Sequence, residues 1–303
     1  MQYGGKQELY QTIEYLGDLI LKQQSIGYSG SCWGYNFDWQ ARRLFLFPAG
    51  TPNVVVTAFC TDALLDAYEI TQNEVFLNAA LSASQFVIKD LNRAEYKNGI
   101  LFSYSPLEGN NTVFNASLLG AKILVRNFEI TRDNEKLELA ELAIKAAING
   151  QAEDGSWVYG LLPVQSWIDS FHSGFNLTAL QRYFENTQDQ KVMEAITKGK
   201  SFYLENFFSE DGTPKYYHNK TYPIDIHCPG QLLISLHALH CFHENQELAE
   251  RVLAWTINNM QDKKGYFYYQ LKKRWSSKIP YMRWSNAFMF FAMSCYFIDR
   301  NGK

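Results

Sequence analysis

Two acid–imidazole pairs are the residues best placed to do chemistry in this chain. Asp169 and His172 lie three residues apart in WIDSFHSGFNL (Trp167 to Leu177), and Asp225 and His227 lie two apart at the end of PKYYHNKTYPIDIH (Pro214 to His227). An i,i+3 spacing sets Asp169 and His172 on one face of a first helical turn. Asp225 follows Asp169 by one internal repeat, so the two pairs are expected at the same height on neighbouring helices. Carboxylates so placed can flank one glycosidic bond, one protonating the leaving oxygen while the other activates water or attacks. They also suppress one another's ionisation, and burial adds to this, so that one stays protonated and an acid and a base arise from identical side chains. The same aspartates are positioned to act as N-caps that bond free helical N–H groups, the more so at Asp225 because Pro223 breaks the chain just before it. Capping and catalysis do not exclude each other.

A third group lies in IPYMRWSNAF, which carries Tyr281, Arg283 and Trp284. An arginine offers a bidentate fork to a carboxylate such as that of a uronic acid. With a uronate held in this way, His172, His227 or Tyr281 could remove the proton at C5, which is lyase or C5-epimerase chemistry rather than hydrolysis. Asp225, His227, Cys228, His237 and His240 form the densest set of metal-ligand types. His237 and His240 lie about three helical turns further along one helix, too far to share an ion with Asp225 without a bend. No metal is expected on that spacing and no cofactor is expected; with no GxxxxGK[ST], GxGxxG or GxSxG element, nucleotide-dependent and serine-hydrolase readings have no support.

The elements that must position these groups are marked by a recurring glycine-led, aromatic-rich turn. It appears as SGSCWGY (Ser29 to Tyr35), NGILFSY (Asn98 to Tyr104), EDGSWVY (Glu153 to Tyr159), EDGTPKYY (Glu210 to Tyr217) and KGYFYY (Lys264 to Tyr269). The later steps between Gly30, Gly99, Gly155, Gly212 and Gly265 define a period of about 55 residues, a repeat signal. Each mark precedes an apolar helical run, then a more charged one. A helix apolar nearly all round must be covered on every side, whereas one with a single apolar stripe covers it from outside. Apolar helices near Asn53, Val113, Trp167, Asp225 and Trp284 therefore form an inner ring, and amphipathic ones near Gln7, Asn73, Asp133, Gln188 and Asn245 an outer ring. The predicted fold is all-α: an α/α toroid, a barrel of about five helical hairpins with aromatic turns at one end, spanning 1–303 as one domain. An open helical solenoid is the alternative.

Composition fits a folded domain, with 47% hydrophobic and 19% charged residues over 303 positions, enough to bury a large core. A net charge of −3 gives no footprint for nucleic acid or an acidic membrane. The amino-terminal MQYGGKQELY lacks an apolar signal region and no run is long enough to span a bilayer, so a cytoplasmic protein without a transmembrane segment is expected. The five cysteines, odd in number and without CxxC spacing, read as reduced and mostly buried. Aromatic residues reach 16%, many of them in the turns. Trp33, Trp157, Tyr216, Tyr217 and Trp284 are expected to line the mouth of a cavity and stack on sugar rings; alternatively, they plug the ends of the hairpins.

Gln151-Ala-Glu-Asp-Gly155-Ser-Trp157 resembles the Gln-x3-Gly-x-Trp turn of terpenoid cyclase and prenyltransferase toroids, and Gln261-Asp-Lys-Lys-Gly265-Tyr-Phe267 is a weaker copy. The Asp-x-Asp-Asp acid motif of the triterpene cyclases is absent. TPNVVVTAF (Thr51 to Phe59), DGSWVYG (Asp154 to Gly160), WIDSFHSGFNL, PKYYHNKTYPIDIH and YMRWSNAFMF (Tyr281 to Phe290) are similar to bacterial toroid proteins encoded with surface-polysaccharide biosynthesis genes, and the toroid turns resemble those of six-hairpin glycosidases. The resemblance covers nearly the whole chain and implies a setting in cell-surface glycan synthesis, with an oligosaccharide or polysaccharide as partner. Together these readings predict a carbohydrate-active enzyme, first a glycoside hydrolase using Asp169 and Asp225, second a uronate lyase or C5-epimerase. A non-catalytic glycan-binding or assembly protein is the rival outside enzymology, and a zinc-dependent prenyltransferase-like enzyme a third reading.

Overall fold

Short, capped turns build the helical order that the sequence implies. The computed structural model describes residues 5–41 and 45–302, so the first four residues of the amino-terminal stretch lie outside the described residues. The chain divides into two compact units, Met1–Asn149 and Gly150–Lys303.

In the first unit, α1 (Lys6–Lys22), α2 (Val54–Thr71), α3 (Glu74–Lys89), α4 (Phe114–Thr131) and α5 (Asn134–Gly150) follow one another. In the second are α6 (Ser170–Thr187), α7 (Gln190–Phe207), α8 (His227–Ala238), α9 (Gln246–Met260) and α10 (Phe288–Arg300). The even-numbered helices are the apolar runs. Within each unit they lie side by side, α2 against α4, then α6 against α8 and α8 against α10. The odd-numbered helices cover them, α3 lying on α2 and α4, α7 on α6, and α9 on α8.

Three of the hairpin links share one device. Gln72, Arg132 and Gln188 take left-handed φ values of 57°, 56° and 55° and reverse the chain after a terminal threonine. The next residue, Asn73 or Asp189, then caps the following helix by accepting from the N–H of Val75 or Lys191, while Asp133 accepts from Glu135. Left-handed backbone stops one helix and the side-chain oxygen starts the next.

The glycine marks serve close approach. A Cβ at Gly30, Gly99, Gly155 or Gly212 would strike the backbone carbonyl of Ser82 on α3, Leu142 on α5, Lys198 on α7 or Arg251 on α9. Each turn thus lies directly against a covering helix. Gly155 additionally adopts φ +90°, a region open to glycine at little cost. Gln151 Nε2 donates to the carbonyl of Gly155 at 2.9 Å, and Gln261 Nε2 does the same to Gly265 at 3.0 Å, which explains the glutamine of the Gln-x3-Gly turn.

The segments read as plain turns include short antiparallel ladders: β1 (Trp39–Ala41) with β2 (Phe45–Phe47), β3 (Arg93–Tyr96) with β4 (Gly99–Phe102), and a three-stranded sheet of β5 (Ile224–Asp225), β6 (Gln270–Leu271) and β7 (Ser276–Ser277). Aromatic and β-branched side chains in these stretches favour a pleated surface.

Trp33 and Trp157 do not stand at a mouth. Trp33, in the first unit, is 2% exposed and donates its indole N–H to the carbonyl of Ile20 at 2.7 Å. Trp157, 3% exposed, lies with its six-membered ring against Gly199 on α7. Both plug hairpin ends, because each burial removes a large apolar ring from water, worth about 2–3 kcal/mol, and the turn glycine lets the ring reach the gap.

Candidate active site

The second unit gathers its polar side chains at the starts of α6 and α8. Asp169, with extended backbone at φ −128°, is the N-cap of α6 and accepts from the His172 N–H at 3.1 Å. The next backbone N–H, from Ser170, donates to the carbonyl of Tyr216 at 2.9 Å. That bond ties the helix start to the aromatic turn two elements later.

The Asp169 carboxyl is fully enclosed, and each of its oxygens is engaged. Trp167 Nε1 donates to one oxygen at 2.9 Å, and His172 Nδ1 lies 2.8 and 2.9 Å from the two. A carboxylate only accepts, so Nδ1 carries the proton and Nε2 is the ring's free nitrogen. His172 keeps 20% of its side chain exposed. Its ring packs between Tyr159 (centroids 4.6 Å apart) and Phe171 (4.2 Å), and Tyr159 itself stacks on Trp167 at 4.5 Å.

Asp225 ends β5 and is the equivalent group one repeat on. It accepts from the His227 N–H at 3.1 Å, from Gln270 Nε2 at 2.9 Å and from Trp284 Nε1 at 3.2 Å. Gln270 faces it because β5 and β6 pair Asp225 with Gln270. Burial pushes the Asp225 carboxyl up to about 6; its three hydrogen bonds oppose that and the charge of Asp169 adds to it. Burial is therefore the main cause of the raised Asp225 pKa.

His227 opens α8 and is enclosed by aromatic rings: Phe288 stacked at 4.1 Å, Trp284 at 4.0 Å and Phe171 at 5.5 Å. Its Nδ1 is buried without a hydrogen-bond partner, 3.8 Å from Asp225. Burial, with smaller contributions from the His172 and Arg283 charges, pushes this imidazole down to about 3. His227 is therefore neutral at physiological pH, and its place at a helix N-terminus favours the same state.

The predicted pairs do occupy neighbouring helix starts, with Phe171 between their imidazoles. Neither carboxyl, however, is turned to solvent. Both are buried, Asp169 as the N-cap of α6 and Asp225 just before α8, and their oxygens are taken by protein donors, which does not leave them open to flank a glycosidic bond. The physical reason is that a buried carboxylate is tolerated only when hydrogen-bonded, and the indoles of Trp167 and Trp284 supply those bonds.

Among the other expected site residues, Tyr216 packs edge-on against Phe171 at 5.4 Å and Tyr217 adjoins it at 4.5 Å. Tyr281 is 46% exposed and packs on Tyr269, and Arg283 is exposed in the same stretch. Trp284 lies within a π-helical turn, Met282–Ala287, a feature often found at functional sites. His237, near the end of α8, pairs with Asp299, and His240, in the turn beyond it, with Glu185. Trp167, Phe171, Gln270 and Phe288 were not singled out from the sequence as site residues. Trp167 carried a signal, since a residue two before Asp169 in an extended segment points the same way. Gln270 carried none, because it arrives by strand pairing from 45 residues away.

Neither a family model nor a curated protein matches the sequence. Solved structures do. Cellobiose 2-epimerase from Bacillus thermoamylovorans aligns over 89% of this chain and 76% of its own, with TM-score 0.69 and 13% identity. The chain has the α/α-toroid fold. A family 76 α-mannanase of Bacteroides thetaiotaomicron (TM-score 0.64, 16% identity, 88% and 78% covered) and an unsaturated glucuronyl hydrolase of Bacillus sp. GL1 (0.61, 12%, 82% and 74%) share it. All three are saccharide enzymes by name. No helix among the described residues is long and apolar enough to cross a membrane.

Proposed function

We propose that this protein is a carbohydrate-active enzyme that moves a proton on and off a sugar carbon, with His172 as the base. The observation that carries this reading is the contrast within the site: both carboxyls are buried and engaged, while His172 keeps a free Nε2. A neutral imidazole at Nε2 takes a proton from a carbon next to a carbonyl or carboxylate, and Asp169 at Nδ1 stabilises the imidazolium that results. The electron pair left on carbon moves into the neighbouring carbonyl or carboxyl group. Return of a proton to the other face of that carbon gives an epimer. Loss of a β-oxygen instead gives an unsaturated sugar.

His227, neutral and walled by Phe288 and Trp284, supplies a hydrogen bond rather than a charge near this centre. A neutral histidine with a depressed pKa is a known way to polarise a carbonyl without protonating it. Tyr216, Tyr217 and Tyr281 offer ring faces and hydroxyls for sugar binding, and Arg283 a fork for a sugar carboxylate. The epimerase and hydrolases that share the fold support a saccharide substrate. The resemblance to toroid proteins encoded with polysaccharide genes supports a role in cell-surface glycan synthesis.

The experiment is parallel incubation in D2O and in 18O-labelled water with reducing oligosaccharides and with uronate oligosaccharides, followed by mass spectrometry. Deuterium in recovered sugar or product, lost in His172→Asn, is the expected result. Chain cleavage that takes 18O from water without deuterium on carbon would replace this reading by hydrolysis. Binding of sugars without any change in them would leave a non-catalytic glycan-binding protein.

A further inference from the structure

Between Asp262 and Asp299 the chain carries seven basic residues and no acidic one: Lys263, Lys264, Lys272, Lys273, Arg274, Lys278 and Arg283. This imbalance sits in a protein of net charge −3, so it is local. The structure gives it a shape. β6 and β7 are joined by a tight turn in which the Lys272 N–H donates to the Trp275 carbonyl at 2.9 Å, putting Lys273 and Arg274 at its tip. Residues 273–276 and 278–283 are exposed.

Like charges at the tip of a turn repel and cost stability unless something offsets them. None of Lys272, Lys273, Arg274 and Lys278 forms an ion pair among the described residues. The one acid at the base of the strip, Asp262, is turned to the Tyr268 hydroxyl at 2.8 Å and the Lys264 N–H at 3.0 Å. Aromatic faces hold two of the cations instead: Lys272 Nζ lies 4.0 Å from the Trp275 ring centre and Lys278 Nζ 5.0 Å from that of Tyr268. Trp275 (59%), Tyr281 (46%) and Ile279 (51%) remain open beside them. In the first unit, by contrast, Lys122 and Arg126 are neutralised by Asp62 and Asp66.

The strip is joined to the candidate active site. Its first strand residue, Gln270, is the side chain that bonds Asp225, and the Tyr269 carbonyl accepts the Ile226 N–H at 3.1 Å. From Gln270 to the turn tip is about 10 Å of extended chain. A substrate that met both His172 and the tip would have to be an oligomer.

We propose that the hairpin at residues 270–283 is a binding surface for an anionic glycan, a chain whose repeating sugars carry carboxylates, which it feeds to the site at His172 and His227. This rests on the proton-transfer reading for the site itself, and it deepens it, because a carboxylate on the sugar is also the group that acidifies the neighbouring C–H. Alternating cations and open aromatic faces suit such a chain, whose sugars present a charged edge and an apolar face by turns. A saccharide is favoured over nucleic acid and anionic lipid because the strip runs, through Gln270, directly into the candidate site at Asp225.

The test is affinity electrophoresis and titration with polygalacturonate, with dextran as the neutral control. Wild-type protein should bind polygalacturonate at least about tenfold more tightly than dextran, with affinity falling as salt rises through about 0.15 M. Lys272→Gln/Lys273→Gln/Arg274→Gln should lose at least about tenfold of that affinity while its circular dichroism stays that of wild type. Lys273→Gln/Arg274→Gln, confined to the exposed tip, repeats the measurement should the triple variant misfold. His172→Asn should bind polygalacturonate as wild type does, so binding and chemistry are read separately. Binding without deuterium exchange would sink the proton-transfer reading and leave the surface. Deuterium exchange into neutral oligosaccharides, with no preference for polygalacturonate, would sink the surface and leave the chemistry. Tighter binding to a single-stranded oligonucleotide or to vesicles containing phosphatidylserine would also overturn it.

Discussion

The two units use the same frame to different ends. In the first, Asn53 caps α2 by accepting from the Val56 N–H at 2.9 Å, and the Val54 N–H donates to the Tyr104 carbonyl at 2.9 Å. In the second, Asp169 caps α6 and the Ser170 N–H donates to the Tyr216 carbonyl at the same distance. The backbone solution is shared; the side chains are not. Where the second unit has Asp169 and His172, the first has Asn53 and Val56, and α4 starts after Val113 with no side-chain cap. A capping oxygen suffices to begin a helix, so any charge or imbalance beyond that has another use. The proposed chemistry therefore uses side chains that only the second unit carries on this shared backbone frame.

The contrast can be broken most forcefully at His172. Its replacement by Asn should lower deuterium exchange at least about a hundredfold, since a general base typically contributes 10²–10⁴, while Val56→Ala at the equivalent place should change exchange little. Equal losses at both positions would mean that the two units are not functionally distinct.

The next effect is on stability and has two opposite signs. Asp225 is raised from 3.8 to about 6 in the fold, so its protonated form is favoured and its contribution, present below about pH 4, is lost as pH rises through 6. His227 is lowered from 6.5 to about 3, so its neutral form is favoured and its contribution, present above about pH 6.5, is lost as pH falls through 3. Denaturant titrations should show Asp225→Asn gaining on wild type between pH 4 and 6, by on the order of 3 kcal/mol. His227→Asn should move the other way over pH 3 to 6.5. Parallel curves for wild type and both variants would show that neither group is buried as described.

The smallest effect belongs to the first unit. Asn53→Ala removes a neutral cap and should cost about 1 kcal/mol, flat across the same pH range because Asn53 carries no titrating group. A pH-dependent loss there would erase the distinction between the uncharged cap Asn53 and the titratable carboxyls at the starts of α6 and α8.

Much of the frame was legible before any coordinates. The order and type of the helices follow from hydrophobic periodicity and from Gly30, Gly99, Gly155, Gly212 and Gly265, because apolar spacing and the glycine marks are local properties. The adjacency of Asp169 and Asp225 follows from the period. Their roles were only half legible: the capping reading held for Asp169, and Asp225 bonds the start of α8, but spacing could not tell whether either carboxyl was also exposed. Trp33 and Trp157 misled as rim residues, since an indole in a turn reads the same whether it faces solvent or, as here, the carbonyl of Ile20 or the open flank of Gly199.

What the sequence determined by itself was the array: where helices begin, where they reverse, and which faces seek cover, all set by interactions a few residues long. The tertiary structure decided which groups are free to react. Gln270 and Trp284 come from 45 and 59 residues away to occupy Asp225, and Trp167 and His172 close off Asp169. Desolvation then shifts Asp225 up and His227 down. Burial depends on everything that surrounds a side chain, so no local pattern of residues encodes it, and it is burial that closes both aspartates while His172 keeps part of its ring exposed.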